Sequence, residues 1–153
     1  MIQVKIKRLH PNAKMPIRAY ATDSGYDLHS IEDFHVYRNM VTKVHTGIAV
    51  EIPIGYEGQI RPRSGLALNY GLTVVNSPGT IDSGYRGEII VLVTLIGDCC
   101  SGKFRADQRI AQLVIQKLPE VELVEVEELA ASERDSKGFG STGIDQGEPV
   151  SIG

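Results

Sequence analysis

Tryptophan is absent from this chain, and the aromatic residues together make up only 6% of it. A core must therefore be built mostly from Val, Ile and Leu, which suit sheet layers better than a platform of stacked rings for nucleic acid. Basic charge is also short: 16 Lys and Arg face 19 Asp and Glu, a formal charge of −3. Proteins that grip a nucleic-acid polymer carry a basic excess, so no such partner is expected, and any phosphate must meet a local cluster of cations. The only cysteines are the neighbours Cys99 and Cys100. They cannot staple distant segments and read as free thiols of a reducing compartment. His10, His29, His35 and His45 lack the spacing or the cysteine partners of a metal site. Residues 1–9 alternate polar and apolar with no continuous apolar run, so neither a signal peptide nor a spanning helix is expected there. A cytoplasmic protein without a membrane partner follows as the expectation.

What is present is a chain of 153 residues with 42% hydrophobic content, enough for one domain with a real core. Ile2, Val4 and Ile6 alternate with Gln3, Lys5 and Lys7, the period of a half-buried strand. Further apolar or alternating runs at 41–52, 57–60, 72–75, 89–96, 110–118 and 121–126 predict more strands, broken by Pro and Gly at 53–55, 78–79 and 97–102. Short strands at this spacing predict an all-β jelly-roll sandwich rather than a helix-crossover sheet. Helix is scarce: one turn at 64–69 stopped by Gly71, and a second candidate at 125–132. After Ala131 the composition turns to Ser, Gly and charge. The division is therefore a β domain over 1–131 and a flexible arm over 132–153. Phe139 between Gly138 and Gly140 has no purpose in a solvated arm unless it docks, which predicts an arm that orders on a ligand.

Residues 76–88 carry the most chemistry. Asp82 and Tyr85 fall at the bend between the runs 72–75 and 89–96, a hairpin with more glycine than a reversal needs. Such a bend brings backbone N–H and C=O groups close to a ligand, with Asp82 as a base and Tyr85 as a floor for a sugar or a base. An ordinary glycine-rich turn with a solvated Asp has the same composition. Arg63 and Ser64 open the helical turn, where a cation and unpaired N–H groups can hold an anion or Ser64 can simply cap it. Gln112, facing inward from a strand, needs a polar partner, and Arg109 reads as structural. Asp27, just after a glycine, could serve a cation. Arg134, Lys137 and the glycines of 138–143 could form an anion nest, but the Gly-Lys-Ser/Thr ending of a P-loop is missing.

Taken in series, Asp23 to Ser30, Pro62 to Ala67, Asn76 to Glu88, Phe104 to Val114 and Arg134 to Gly143 resemble the five motifs of the trimeric dUTPase family. Arg-Ser-Gly-Leu-Ala, Ile-Asp-x-x-Tyr-Arg-Gly, Arg-Ile-Ala-Gln and Gly-Phe-Gly-Ser-Thr-Gly are specific in that order and span nearly the whole chain. The resemblance implies a jelly-roll homotrimer whose sites draw on several subunits. It also implies hydrolysis of dUTP to dUMP and pyrophosphate with Mg²⁺, which clears dUTP and supplies dUMP for thymidylate synthesis. On that resemblance Asp82 activates a water that attacks the α-phosphorus, and Gln112 and Arg134 support the reaction. Tyr85 packs under the deoxyribose, while Asn76, Gly79, Thr80, Ile81 and Ile90 surround the base. Arg63, Ser64 and Gly65 hold phosphates, Asp27 meets the metal through water, and Phe139, Gly140 and Ser141 of the arm cover the ligand. Family members often carry Gly where the arm has Asp135 and Lys137, often an acid where Gln108 precedes Arg109, and usually Ala where Ser24 stands. A dCTP deaminase shares the fold but needs a second Ser and an Arg after the Arg-Ser pair, where Gly65 and Leu66 stand. A silent nucleotide-binding regulator has no need of Asp82, Tyr85 and Arg134 together.

Overall fold

The computed structural model describes residues 1–136. Met1–Glu120 form one compact unit and the chain from Val121 a second. In the first unit, one antiparallel sheet runs β1 (Lys5–Arg8), β4 (Thr42–Glu51), β8 (Glu88–Leu95) and β6 (Leu72–Val74). A second runs β2 (Tyr26–His29), β10 (Arg109–Lys117), β5 (Tyr56–Arg61) and β7 (Gly79–Ile81). β3 (Phe34–Tyr37) and β9 (Ser101–Phe104) form a two-stranded ribbon. This is the all-β sandwich expected from the strand spacing.

Alternation explains how the layers meet. In β8, Ile89, Val91, Val93 and Leu95 point inward and are buried, while the residues between them are at least partly exposed. They share a core with Val44 and Ile48 of β4 and with Leu28, Ile60, Ile110 and Leu113 of the other sheet. Phe34 and Phe104 of the ribbon stack at 5.1 Å and join it. β4 breaks its alternation at a bulge between His45 and Ala49, where Gly47 takes φ 64°. The bulge is fastened from β8: Glu88 accepts hydrogen bonds from the Gly47 N–H at 2.8 Å and from His45 Nδ1 at 2.9 Å.

The one helix among the described residues, α1 (Ser64–Tyr70), ends where the sequence predicts, with Gly71 at φ 66° donating its N–H to the Ala67 carbonyl. Its N-cap is Arg63, not Ser64, and no side chain caps it.

Three expectations change. β6 and β8 do pair as a hairpin, Leu72↔Leu95 through Val74↔Val93, but the segment between them is no simple turn. It crosses to the other sheet as β7, pairing Gly58↔Ile81, Gln59↔Thr80 and Ile60↔Gly79 with β5. Residues 121–126 form no strand and 125–132 no helix. A strand needs a neighbour to take its N–H and C=O groups, and alternation along the chain does not supply one. Among the described residues no helix is long and apolar enough to cross a membrane.

Candidate active site

Among the described residues β7 is an edge strand, paired only with β5, and its other backbone edge has no strand partner there. Beside it lies a cleft of 290 Å³ lined by Asn76, Gly79, Thr80, Ile81, Asp82, Tyr85 and Ile90. All seven of these sequence-predicted residues are thus brought together. Gly79 lets Asn76 approach the backbone, since a Cβ there would sit 3.1 Å from the Asn76 amide nitrogen. The Tyr85 hydroxyl donates to the Glu88 carbonyl at 2.9 Å, and its ring lies so close to Gly87 that a Cβ would fall 2.6 Å from the ring carbon Cζ. The Tyr85 N–H donates to the Asp82 carbonyl at 3.0 Å, closing the turn that presents the Asp82 side chain. Asp82 is exposed, and among the described residues its carboxylate accepts no hydrogen bond and makes no ion pair.

Asp27, Arg63, Ser64, Gly65 and Gln112 gather around a second cleft of 290 Å³, which shares no lining residue with the first. Three segments converge there: β2 carries Asp27, β10 carries Gln112 in register with it, and the entry to α1 carries Arg63. Gln112 finds the polar partner its inward position demands by donating to the Pro62 carbonyl at 2.9 Å. Gly25 makes room for it, because a Cβ at Gly25 would overlap the Gln112 amide. Asp27 is held on both oxygens, by Arg63 Nε at 2.9 Å and Arg109 Nη1 at 3.1 Å. Its charge is more than compensated, and the described residues contain no group of three or more His, Cys, Asp or Glu placed to hold a metal. This donor set does not fit an ion caged by the protein itself. It fits an anion that brings its own cation.

Arg134 is exposed and belongs to the second unit. Phe139, Gly140, Ser141 and Lys137 lie outside the described residues. Several residues that line the clefts were not singled out as site residues from sequence, including some that are polar or make room for a polar group. Lys43 and Glu88 line the first cleft, and Gly25 and Arg109 the second. Lys43 and Glu88 give no local signal, since cross-strand pairing sets their places. Arg109 was passed over as structural because its partner, Asp27, is distant in sequence.

A family model described as dUTPase matches residues 11–143. The deoxyuridine 5'-triphosphate nucleotidohydrolase of Nautilia profundicola is 49% identical over 93% of this chain and 99% of its own. That of Helicobacter pylori strain 26695 is 46% identical over 94% and 98%. Among solved structures, a mutant dUTPase of Staphylococcus bacteriophage 80alpha with dUpNHpp superposes with TM-score 0.84 at 32% identity, covering 94% of this chain and all of the other. A mutant of the dUTPase from phage phi11 of S. aureus, described with a structural Mg(II) ion, gives 0.74 at 28% identity over 83% and 98%.

Proposed function

The chain belongs to the dUTPase family, and from that premise we propose that it hydrolyses dUTP to dUMP and pyrophosphate by attack of an Asp82-activated water on the α-phosphorus. The observation that carries this reading is the uncommitted Asp82 carboxylate in the same cleft as Tyr85, Asn76 and the open edge of β7. Water is a weak nucleophile toward a polyanion, so the reaction needs a base, alignment and positive charge on the leaving group. Asp82 takes a proton from the water, the water oxygen bonds to phosphorus, and the bond to the bridging oxygen breaks to release pyrophosphate.

Selectivity follows from the same cleft. Backbone groups of β7 pair with the uracil edge, and cytosine would aim an amino donor at a backbone donor. The strand offers a rigid wall to the 5-methyl of thymine, which a yielding apolar pocket would reject by only about 1 to 3 kcal/mol. Tyr85, pinned to the Glu88 carbonyl and seated on Gly87, leaves no room for a 2′-hydroxyl.

The phosphates go to Arg63, Ser64, Gly65 and Gln112. These line a different cleft from Asp82, which supports a homotrimer in which one protomer's nucleoside cleft faces another's phosphate cleft. Exposed aliphatics supply apolar surface for such an assembly: Ile17 at 60%, Leu68 at 86% and Leu123 at 94% are examples. Mg²⁺ arrives with the nucleotide, whose triphosphate provides the hard oxygen ligands it prefers. Arg134, Phe139, Gly140 and Ser141 of the arm over 132–153 close on the bound substrate. The dUMP formed would supply thymidylate synthesis.

Incubation of the protein and Mg²⁺ with dUTP, dCTP, dTTP and UTP separately is expected to release pyrophosphate from dUTP alone. Ammonia from dCTP, or binding of dUTP without turnover, would overturn this reading.

A further inference from the structure

At the start of β8 the sheet loses its register. His45 of β4 lies opposite Ile90 and Ala49 opposite Glu88, so residues 46–48 face the single residue Ile89 across the bulge. Side chains fasten β8 where the ladder is interrupted. The Glu88 carboxylate accepts from the Gly47 N–H at 2.8 Å and from His45 Nδ1 at 2.9 Å, and the Thr46 hydroxyl donates to the Ile89 carbonyl at 2.6 Å. Glu88 thus has both carboxylate oxygens tied to β4, while its own carbonyl accepts the Tyr85 hydroxyl at 2.9 Å. Tyr85 and Glu88 line the first cleft, and the half-buried His45 does not.

We propose that Glu88 and His45 are positioning residues for sugar selectivity: the bonds that tie Glu88 across the bulge fix the carbonyl that holds the Tyr85 ring under the deoxyribose, and so set how firmly a ribonucleotide is refused. A wall rejects an added hydroxyl only if it cannot yield, and an accommodating pocket discriminates against one by only about 10²-fold. The Tyr85 ring is restrained at its far end by the bond to the Glu88 carbonyl and seated against Gly87. That restraint is no firmer than the residue that supplies it. Glu88 is the first residue of β8, and strand ends fray unless bonds beyond the ladder hold them. The proposal rests on the reading of this cleft as the nucleoside site.

His45 makes the test sharp, because its imidazole bonds to Glu88 without lining the cleft. With dUTP as substrate and UTP as competitor, His45→Ala is expected to lower the inhibition constant of UTP about 10-fold, against a change of less than about 3-fold in kcat/KM for dUTP. His45→Asn, whose amide can place an N–H near the position of Nδ1, should keep the parental constant. Tyr85→Phe, which removes the hydroxyl, should lower the UTP constant at least as far as His45→Ala. Adding His45→Ala to Tyr85→Phe should then change nothing more, since no ring restraint is left to release.

An unchanged or higher UTP constant in His45→Ala would overturn the proposal, as would equal losses for dUTP and UTP or effects that multiply in the double variant. So would lost selectivity in a His45→Asn variant of parental thermal midpoint. If His45→Ala does not fold, a parental UTP constant in Tyr85→Phe rejects the proposal by itself. Failure of the parent chain to hydrolyse dUTP would instead sink the functional reading. A parent that hydrolyses dUTP beside a His45→Ala variant with the parental UTP constant sinks only the positioning role.

Discussion

Asp27 and Asp82 are both acids in glycine-bordered segments, yet their neighbours give them different chemistry. Two guanidinium groups bind Asp27, whereas Asp82 projects from a turn closed by backbone hydrogen bonds and is free to take a proton. Asp82→Asn keeps the shape of the cleft, so it is expected to retain dUMP affinity and lose about 10²- to 10⁴-fold in kcat, measured by pyrophosphate release against calorimetric binding. Gly25 is needed for space rather than for backbone freedom, since any Cβ there overlaps the Gln112 amide. Gly25→Ala should thus displace Gln112 and lower kcat by up to about 10²-fold, with a thermal midpoint that moves little. Asp135 takes φ 47°, a left-handed conformation that glycine adopts without cost.

At the scale of elements, one fastening supports the first cleft and another closes the end of α1. Glu88 ties the β4 bulge to β8 through its carboxylate, while its carbonyl accepts the Tyr85 hydroxyl. Burial pushes the Glu88 carboxyl up, but hydrogen bonds from His45 and the Gly47 N–H outweigh it, so its pKa lies below the ordinary 4.5. A carboxyl depressed on folding stabilises the protein above its unfolded pKa, and that contribution is lost as pH falls through the folded value. Glu88→Gln is therefore expected to lower the thermal midpoint at pH 7. The gap to the parent should narrow as pH drops below about 4.5, and a gap that widens in acid would refute the assignment. The second fastening is the end of α1, where a Cβ on Gly71 would strike the Ile96 carbonyl oxygen at a positive φ. Gly71→Ala should cost more than about 1 kcal/mol in denaturant unfolding.

For the whole molecule, the separation of the two clefts on one protomer makes a prediction that no single chain could satisfy. Asp82→Asn and Arg63→Ala should each be nearly inactive, yet co-refolding them in equal amounts should restore roughly a quarter of parental activity if each site draws these residues from different protomers. An inactive mixture would place both in one chain's site. Removing residues from Arg134 onward should leave the assembly intact by light scattering and reduce hydrolysis severely, because the arm is proposed to close the site. Conversion to a monomer would instead make the arm a structural strap.

The sequence by itself determined the class of fold, because alternating Val, Ile and Leu between Pro and Gly breaks describes half-buried strands whatever they pair with. It marked the end of α1, since only a glycine sits easily at Gly71, and it picked out seven of the residues that line the first cleft, which lie close together along the chain. β2, β3, β7 and β9 were not legible as strands: each is three or four residues long, and a neighbour's register defines them. For the same reason 121–126 alternates without becoming a strand. Only the tertiary structure decided that β7 leaves the apparent hairpin for the opposite sheet. It also decided that Glu88 supports Tyr85 and that Asp27 lies between two arginines, because these contacts depend on which strands lie side by side, and local alternation says nothing about partners.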